Sequence, residues 1–171
     1  MLWRMSNRAD KEALPLADRH YNRQKIGSPQ FMPPGSCVCF VAGDPVNALW
    51  GTAWPIAEYV HHAWAGAWVN SIFRSEDGGV ASLLIRQAVS ATKFFYGSPP
   101  ELGMVTFIDP TKVKPRMIRG RPTWGWTYFE AGFKHVGYTK GGLWVFQMLP
   151  HEMPEPVSPL PSNESVCTAA Q

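Results

Sequence analysis

Apolar and polar positions divide this chain into short segments of two different periods. "CVCFVA" (37–42) and "ALWGTAWP" (48–55) are apolar, β-favouring runs on either side of "GDPVN", and together they predict a hairpin. A third strand is expected over about 67–74, where alternation puts Trp68, Asn70 and Ile72 on one face. The period then changes. Val80, Leu83, Leu84, Gln87, Ala88 and Ala91 recur at helical spacing, and Gly97 with two prolines ends that helix. "LGMVTFID" (102–109) is nearly continuous in apolar residues, as in a strand covered on both faces. "TWGWTYFEAG" predicts a short helix with Thr123 as N-cap and Gly132 as C-cap. "FKHVGYT" and "GLWVFQML", joined by "KGG", predict two final strands.

The expected order is β-β-β-α-β-α-β-β behind a loop-rich N-terminus, residues 1–36. The fold class is α/β (α+β): a mixed, mostly antiparallel central sheet flanked by helices in a single domain, 1–149. A length of 171 residues supports one core without disulfides or metals. The segment 150–171 is rich in proline and serine and has no period, so a disordered or loosely docked tail is expected there.

Charge adds a second pattern. The net charge of +3 is too small for a global field, but the cations are grouped. Arg19, Arg23 and Lys25 form one cluster; Lys112, Lys114, Arg116, Arg119 and Arg121 form another, beside Trp124 and Trp126. Such patches either contact phosphate oxygens or are solvated loops. The 8 tryptophans exceed core needs and suit stacking surfaces or ligand pockets, although packing accounts for at least one of the pair near the second cluster. Cys37 and Cys39, at strand spacing, share a face and are expected to be small buried thiols; with Cys167 they make no disulfide framework. His61-His62 is a poor chelate on a strand, where adjacent rings point apart. No run reaches the roughly 18 apolar residues of a membrane span and the start is too polar for a signal peptide, so a cytoplasmic protein with no membrane partner is expected.

One stretch fits neither period: "ADRHYNRQKIGSPQF" (17–31) places His20 and Tyr21 among cations on an expected loop. His20 is either a surface histidine or a proton acceptor suited to neutral pH. Tyr21 is a rim aromatic or a stacking and hydrogen-bonding group. Asp109 closes the central strand, either as an Asp-Pro turn or at the strand end where open sheets place ligands. Tyr128 is a helix residue packed on the sheet or a proton donor.

The order strand–long helix–strand–short helix–strand–strand, with "YFEAGFKHVGYTKGG", resembles the GNAT acyltransferase superfamily. His20-Tyr21 in an N-terminal loop, Asp109 in "TFIDP" and Tyr128 in "WTYFEAGF" resemble a narrower group within it, the phage Mom-like proteins. That resemblance implies a DNA-modifying transferase. It would place an acyl-derived two-carbon unit, finally carbamoylmethyl, on adenine N6 of double-stranded DNA in the host cytoplasm, protecting the DNA against restriction. It implies His20, Tyr21, Asp109 and Tyr128 as the catalytic set, with iron at His20, Asp109 and Tyr128 as a further option. Arg19, Arg23, Lys25, Lys112, Lys114, Arg116, Arg119, Arg121 and Trp124 would then meet DNA, and Gly78, Gly79 and Ala81 would bind the cofactor.

The chain departs from the superfamily at the phosphate-binding frame. Glu76-Asp77-Gly78-Gly79-Val80-Ala81 begins with acids where a cation or amide is usual, which argues against coenzyme A. The stretch after Asp109, "TKVKPRMIRGRPTWG", replaces a Gly-His-rich one. Two donors are therefore open, acetyl-CoA and glycyl-tRNA, the second making tRNA a partner. Two other functions also remain open: an acetyl-CoA-dependent N-acetyltransferase on a small amine, and a non-catalytic nucleic-acid-binding module on the same scaffold.

Overall fold

The apolar runs on either side of "GDPVN" do pair as a hairpin in the computed structural model, which describes residues 1–76 and 79–162. In chain order the elements are β1 (Arg4–Ser6), α1 (Leu14–Asp18), β2 (Ser36–Ala42), β3 (Ala48–Trp54), β4 (Trp68–Ser75) and α2 (Ala81–Tyr96). There follow β5 (Met104–Ile108), β6 (Arg116–Ile118), β7 (Arg121–Thr123), α3 (Trp126–Glu130), β8 (Lys134–Tyr138) and β9 (Trp144–Met148). Seven strands form one sheet in the order β1-β2-β3-β4-β5-β9-β8, and β6-β7 is a separate ribbon. Only β4 and β5 are paired in parallel; the other pairs are antiparallel. The class is the expected one, a single α/β domain on a mostly antiparallel sheet.

Alternation sorts the strands' side chains onto two faces. Val38, Phe40, Trp50, Trp68, Met104, Phe146 and Met148 pack against Leu84, Ile85, Ala88 and Val89 of α2, forming the main core. Cys39, Val41, Leu49, Ala53 and Ile72 face the other way, under Leu16 and Ala17 of α1 and under Met32. Gly51 lies between these groups because a Cβ there would stand 2.4 Å from Met32 Sδ and 2.7 Å from Ile72 Cγ2.

Four differences from the expected pattern matter. Trp68 and Asn70 share a face, but Ile72 does not join them. The β3–β4 register runs Thr52↔Asn70 and then Gly51↔Ile72, so Ser71 is an extra residue, a β-bulge that reverses the alternation. The N-terminus is less loop-like than expected: β1 pairs with β2, and Trp3 is fully buried with its indole N–H donating to Leu84 O at 2.8 Å. Thr123 ends β7 rather than capping α3; Gly125, at φ 69°, holds the N-cap, where a Cβ would meet the Phe146 ring at 2.3 Å. The helix closes at Ala131, one residue before Gly132.

The start of the tail is also docked. Met153 is buried in the main core, and Leu160 exchanges backbone hydrogen bonds with β1, Met5 N–H to Leu160 O and Leu160 N–H to Trp3 O, each 2.9 Å. The otherwise bare edge of β1 supplies the physical reason. The last residues, with Cys167, lie outside the described residues. Among the described residues, no helix is long and apolar enough to cross a membrane.

Candidate active site where two parallel strands part

β4 and β5 stay paired for three residues, Trp68–Met104, Val69–Val105 and Asn70–Thr106, and then diverge. A cavity of about 450 Å³ opens in the gap. Its wall takes Asn70, Phe73, Thr106 and Tyr128 from the α2 side of the sheet and His20, Tyr21 and Ile72 from the α1 side. It therefore passes through the sheet rather than lying on it. The ends of parallel strands are where sheets of this kind hold ligands.

The bulge fixes this geometry, and two asparagines hold the bulge. Asn70, buried, donates from Nδ2 to Gly51 O at 3.0 Å and to Ile72 O at 2.9 Å. Its Oδ1 accepts from the Tyr128 hydroxyl at 2.6 Å. Asn22 donates from Nδ2 to the carbonyl of the bulged Ser71 at 2.6 Å. A carbonyl only accepts, so the Asn22 amide has one orientation, and Oδ1 must face His20 Nδ1, 2.5 Å away. Asn22 Oδ1 thereby favours the proton on His20 Nδ1, which puts the lone pair of the neutral ring on Nε2. Burial pushes the His20 pKa below its ordinary value, and the Arg74 charge adds to this, against the opposing pull of Asn22 and the Phe73 carbonyl. The imidazole is a neutral acceptor at pH 7.

The two tyrosines stay protonated. The Tyr21 ring lies tilted by 32° against the His20 ring, centroids 4.6 Å apart, and its hydroxyl donates to Phe107 O at 2.8 Å. Burial raises its pKa. Burial also pushes the Tyr128 phenol well up, against a hydrogen bond to Thr106 that pulls it down. Both are proton donors beside a proton acceptor.

Three of the four expected catalytic residues thus meet at one cavity: His20, Tyr21 and Tyr128. The fourth is not in its lining. Asp109 Oδ1 accepts from Thr111 N–H at 2.9 Å and Thr111 Oγ1 at 2.6 Å, closing the turn after β5. These bonds hold its pKa below the usual carboxylate value. The residues do not fit iron either. Asp109 is committed to its turn, the Tyr128 hydroxyl to Asn70, and among the described residues no three His, Cys, Asp or Glu side chains could hold a metal. His61 and His62 make no such group; His62 accepts from Trp64 N–H at 3.1 Å and packs on Phe107.

The cations divide into two kinds. Arg23, 8% exposed at its side chain, pairs with Asp18 at 2.8 Å and donates to Gln30 O and Ser28 O. It holds the 18–30 loop together and is not free for DNA. Its replacement should act on stability. Arg23→Ala should cost about 2–3 kcal/mol, less than a fully buried pair because Asp18 is partly exposed. Denaturant titration checks this, and a variant as stable as the wild type would refute it. Trp124 is structural too, donating to Val113 O at 2.8 Å and packing on Trp144.

Arg19 pairs with Glu76 through two hydrogen bonds of 2.8 and 2.6 Å, and Arg74 meets the same carboxylate at 2.6 Å. Together they hold Glu76 down at about 2. Two guanidiniums on one carboxylate leave this corner net positive, so Glu76 does not repel a phosphate as its position in the sequence suggested. Gly79 and Ala81 stand at the start of α2, whose N-cap Val80 supplies no side-chain bond. Gly78 and Asp77 lie outside the described residues. Lys25 is exposed. Lys112 sits 3.9 Å from Asp109 at the cavity edge, and among the described residues no Asp or Glu lines the cavity. Lys114, Arg116, Arg119 and Arg121 lie on or beside the β6–β7 ribbon and make no ion pair among the described residues.

Asn22, Asn70 and Arg74 were not singled out by the sequence. The bulge that gives the two asparagines their roles has no signal in the residues themselves. No family model, curated protein or solved structure matches the chain.

Proposed function

We propose that the protein is a DNA-modifying acyltransferase of the GNAT kind, similar to the phage Mom-like proteins, placing an acyl-derived two-carbon unit on adenine N6. The observation that carries the reading is His20. Asn22 favours the tautomer whose lone pair is on Nε2, in a cavity that also holds two protonated phenols. The mixed, mostly antiparallel sheet with helices against it supports the reading.

The chemistry follows from those groups. Adenine N6 is a weak nucleophile because its lone pair is delocalised into the ring. As N6 attacks the acyl carbonyl, His20 Nε2 takes the N6 proton, and a tyrosine hydroxyl donates to the oxygen or leaving group that gains charge. Tyr128 suits that role, because burial keeps it protonated, once its hydroxyl turns from Asn70 Oδ1 to the reacting oxygen, and Tyr21 is placed to contact the base. The absence of a carboxylate in the lining disfavours a small cationic amine as acceptor, and Lys112, Arg19 and Arg74 suit a polyanion. A non-catalytic module would not need a favoured His20 tautomer.

Atom accounting separates the donors. Glycyl attached to N6 through its carbonyl carries a free amine that can attack C6 through a five-membered ring. Rupture of the original C6–N6 bond then leaves C6–NH–CH2–CO–NH2, the former N6 becoming the carboxamide nitrogen. Acetyl-CoA lacks that nitrogen and needs an oxidation besides. Glycyl-tRNA is therefore the donor we favour, and the cationic ribbon also suits RNA.

The test is expression in a bacterium fed glycine labelled at both carbons and nitrogen, followed by mass spectrometry of the DNA nucleosides. A modified deoxyadenosine carrying all three labels is expected. Unmodified DNA would overturn the function, and label arriving only from acetate would overturn the donor.

A further inference from the structure

The second cation cluster, 112–121, allowed a solvated loop; from Arg116 to Thr123 it forms a β-ribbon instead. β6 and β7 pair as Arg116↔Thr123, Met117↔Pro122 and Ile118↔Arg121, joined by a two-residue turn at Arg119 (φ 49°) and Gly120 (φ 75°). Positive φ at both positions is the tight hairpin turn whose twist matches its strands. Alternation gives the ribbon two unlike faces. Arg116, Ile118, Arg121 and Thr123 share one. Met117 and Pro122 stand opposite each other on the other, and Met117 is 61% exposed. A bare thioether side chain is out of place among this many cations unless it has an apolar surface to meet.

The ribbon is also fixed to the cavity. Its first stem leaves from Lys112 and Val113, both in the cavity wall, and its second returns to Trp124, whose indole N–H binds Val113 O at 2.8 Å. The Arg116 guanidinium stands over the Trp126 ring at 5.9 Å, bracing the base of the ribbon. Met117 is four residue steps from Val113, which places the methionine within about 14 Å of the cavity wall.

We infer that Met117, backed by Pro122, is a wedge that enters the DNA base stack and holds the gap left when the target adenine turns into the cavity. The inference rests on the proposed DNA function. A base inside a duplex cannot reach His20, so it must leave the stack. Proteins that open a base step do so by inserting an apolar side chain, methionine among them, while flanking cations hold the phosphates. Here Lys114, Arg119 and Arg121 supply the cations, and Met117 is the exposed apolar side chain of the pair of strands that carries them. Met117 is a positioning residue: it acts on the stack and touches neither the N6 atom nor the donor.

The experiment compares full-length wild type, Met117→Ala, Met117→Leu and Arg119→Ala/Arg121→Ala on oligonucleotides carrying the sequence modified in cells. Each sequence is offered as a duplex, as a single strand, and as a duplex with an abasic site opposite the adenine. Met117→Ala should lose about 30-fold in modification rate on the intact duplex, the cost of unstacking unaided. It should work within about twofold of wild type on the single strand and the abasic duplex, where the base is already loose. Met117→Leu should restore the duplex rate. The double arginine variant should weaken binding to all three substrates and flatten the salt dependence by nearly two counterions. Equal duplex rates for Met117→Ala and wild type, or an equal loss on all three substrates, would overturn the wedge and leave the function standing. A wild type that modifies none of them would overturn both.

Discussion

His20→Ala is expected to abolish modification almost completely while the protein stays folded. A positioned acid or base contributes about 10²–10⁴ in rate, which corresponds to about 3–5 kcal/mol of barrier. The side chain lies on a loop and supports no core cluster, so thermal unfolding should move little. The pH profile carries the more specific prediction. The folded His20 pKa lies below its ordinary 6.5, because burial disfavours the cation. Activity should therefore rise with pH along a limb lying below pH 6.5 and be flat through neutrality. Stability runs in the same direction. The unfolded chain takes up the proton first on acidification, so the fold loses stability as pH falls through 6.5 toward the folded pKa. Asn22→Ala adds a second reading. Removing the partner that favours the cation should move the activity limb further down, while the freed tautomer lowers the plateau. A limb above pH 6.5, or an active His20→Ala protein, would refute the assignment of the base.

Asn70 should have the largest effect on the fold of any polar side chain in the site. Its amide satisfies two carbonyls across the bulge and one phenol, all buried or nearly so. Asn70→Ala takes this donor from both carbonyls, at roughly 1–3 kcal/mol each before relaxation, while the Tyr128 hydroxyl keeps Thr106, so a loss of about 3–5 kcal/mol is expected. For a chain of this size, that lowers the unfolding midpoint by roughly 10–15 °C. Asn70→Asp separates the hydrogen-bonding role from the side-chain volume. Its carboxylate would face the Gly51 and Ile72 carbonyls, which raises its folded pKa. The pH-dependent part of the penalty should then vanish below the unfolded aspartate pKa, where the single O–H replaces one of the two N–H bonds, and grow as pH rises to the folded one. Calorimetry across pH 3–8 checks this. An Asn70→Ala protein that melts like wild type would show that the bulge does not need its amide.

The strands and the long helix were legible in the sequence because their partners are generic. An alternating run such as 37–42 finds any apolar face, and the spacing of Leu84, Ala88 and Ala91 commits α2 to a sheet wherever that sheet lies. His20, Tyr21 and Tyr128 were legible as chemistry, since a histidine and two phenols carry their reactivity with them. What surrounds them was not legible. Glu76 read alone is a repulsive acid; only the approach of Arg19 from 57 residues away makes that corner positive. Arg23 read alone is a cation for phosphate; in the fold it closes a loop on Asp18. Asp109 turned to its own Thr111, which its local sequence already allowed. The basic loop became a ribbon because backbone pairing between 116–118 and 121–123 gives two short segments a partner that neither period announced. The bulge at Ser71 belongs wholly to the tertiary structure. One extra residue in β4 turns Ile72 to the opposite face and leaves two carbonyls for Asn70 and one for Asn22. Side-chain identity determined which groups could react. Register between strands far apart in the chain decided which of them meet, because a shift of one residue reverses a side chain's direction and no local pattern records it.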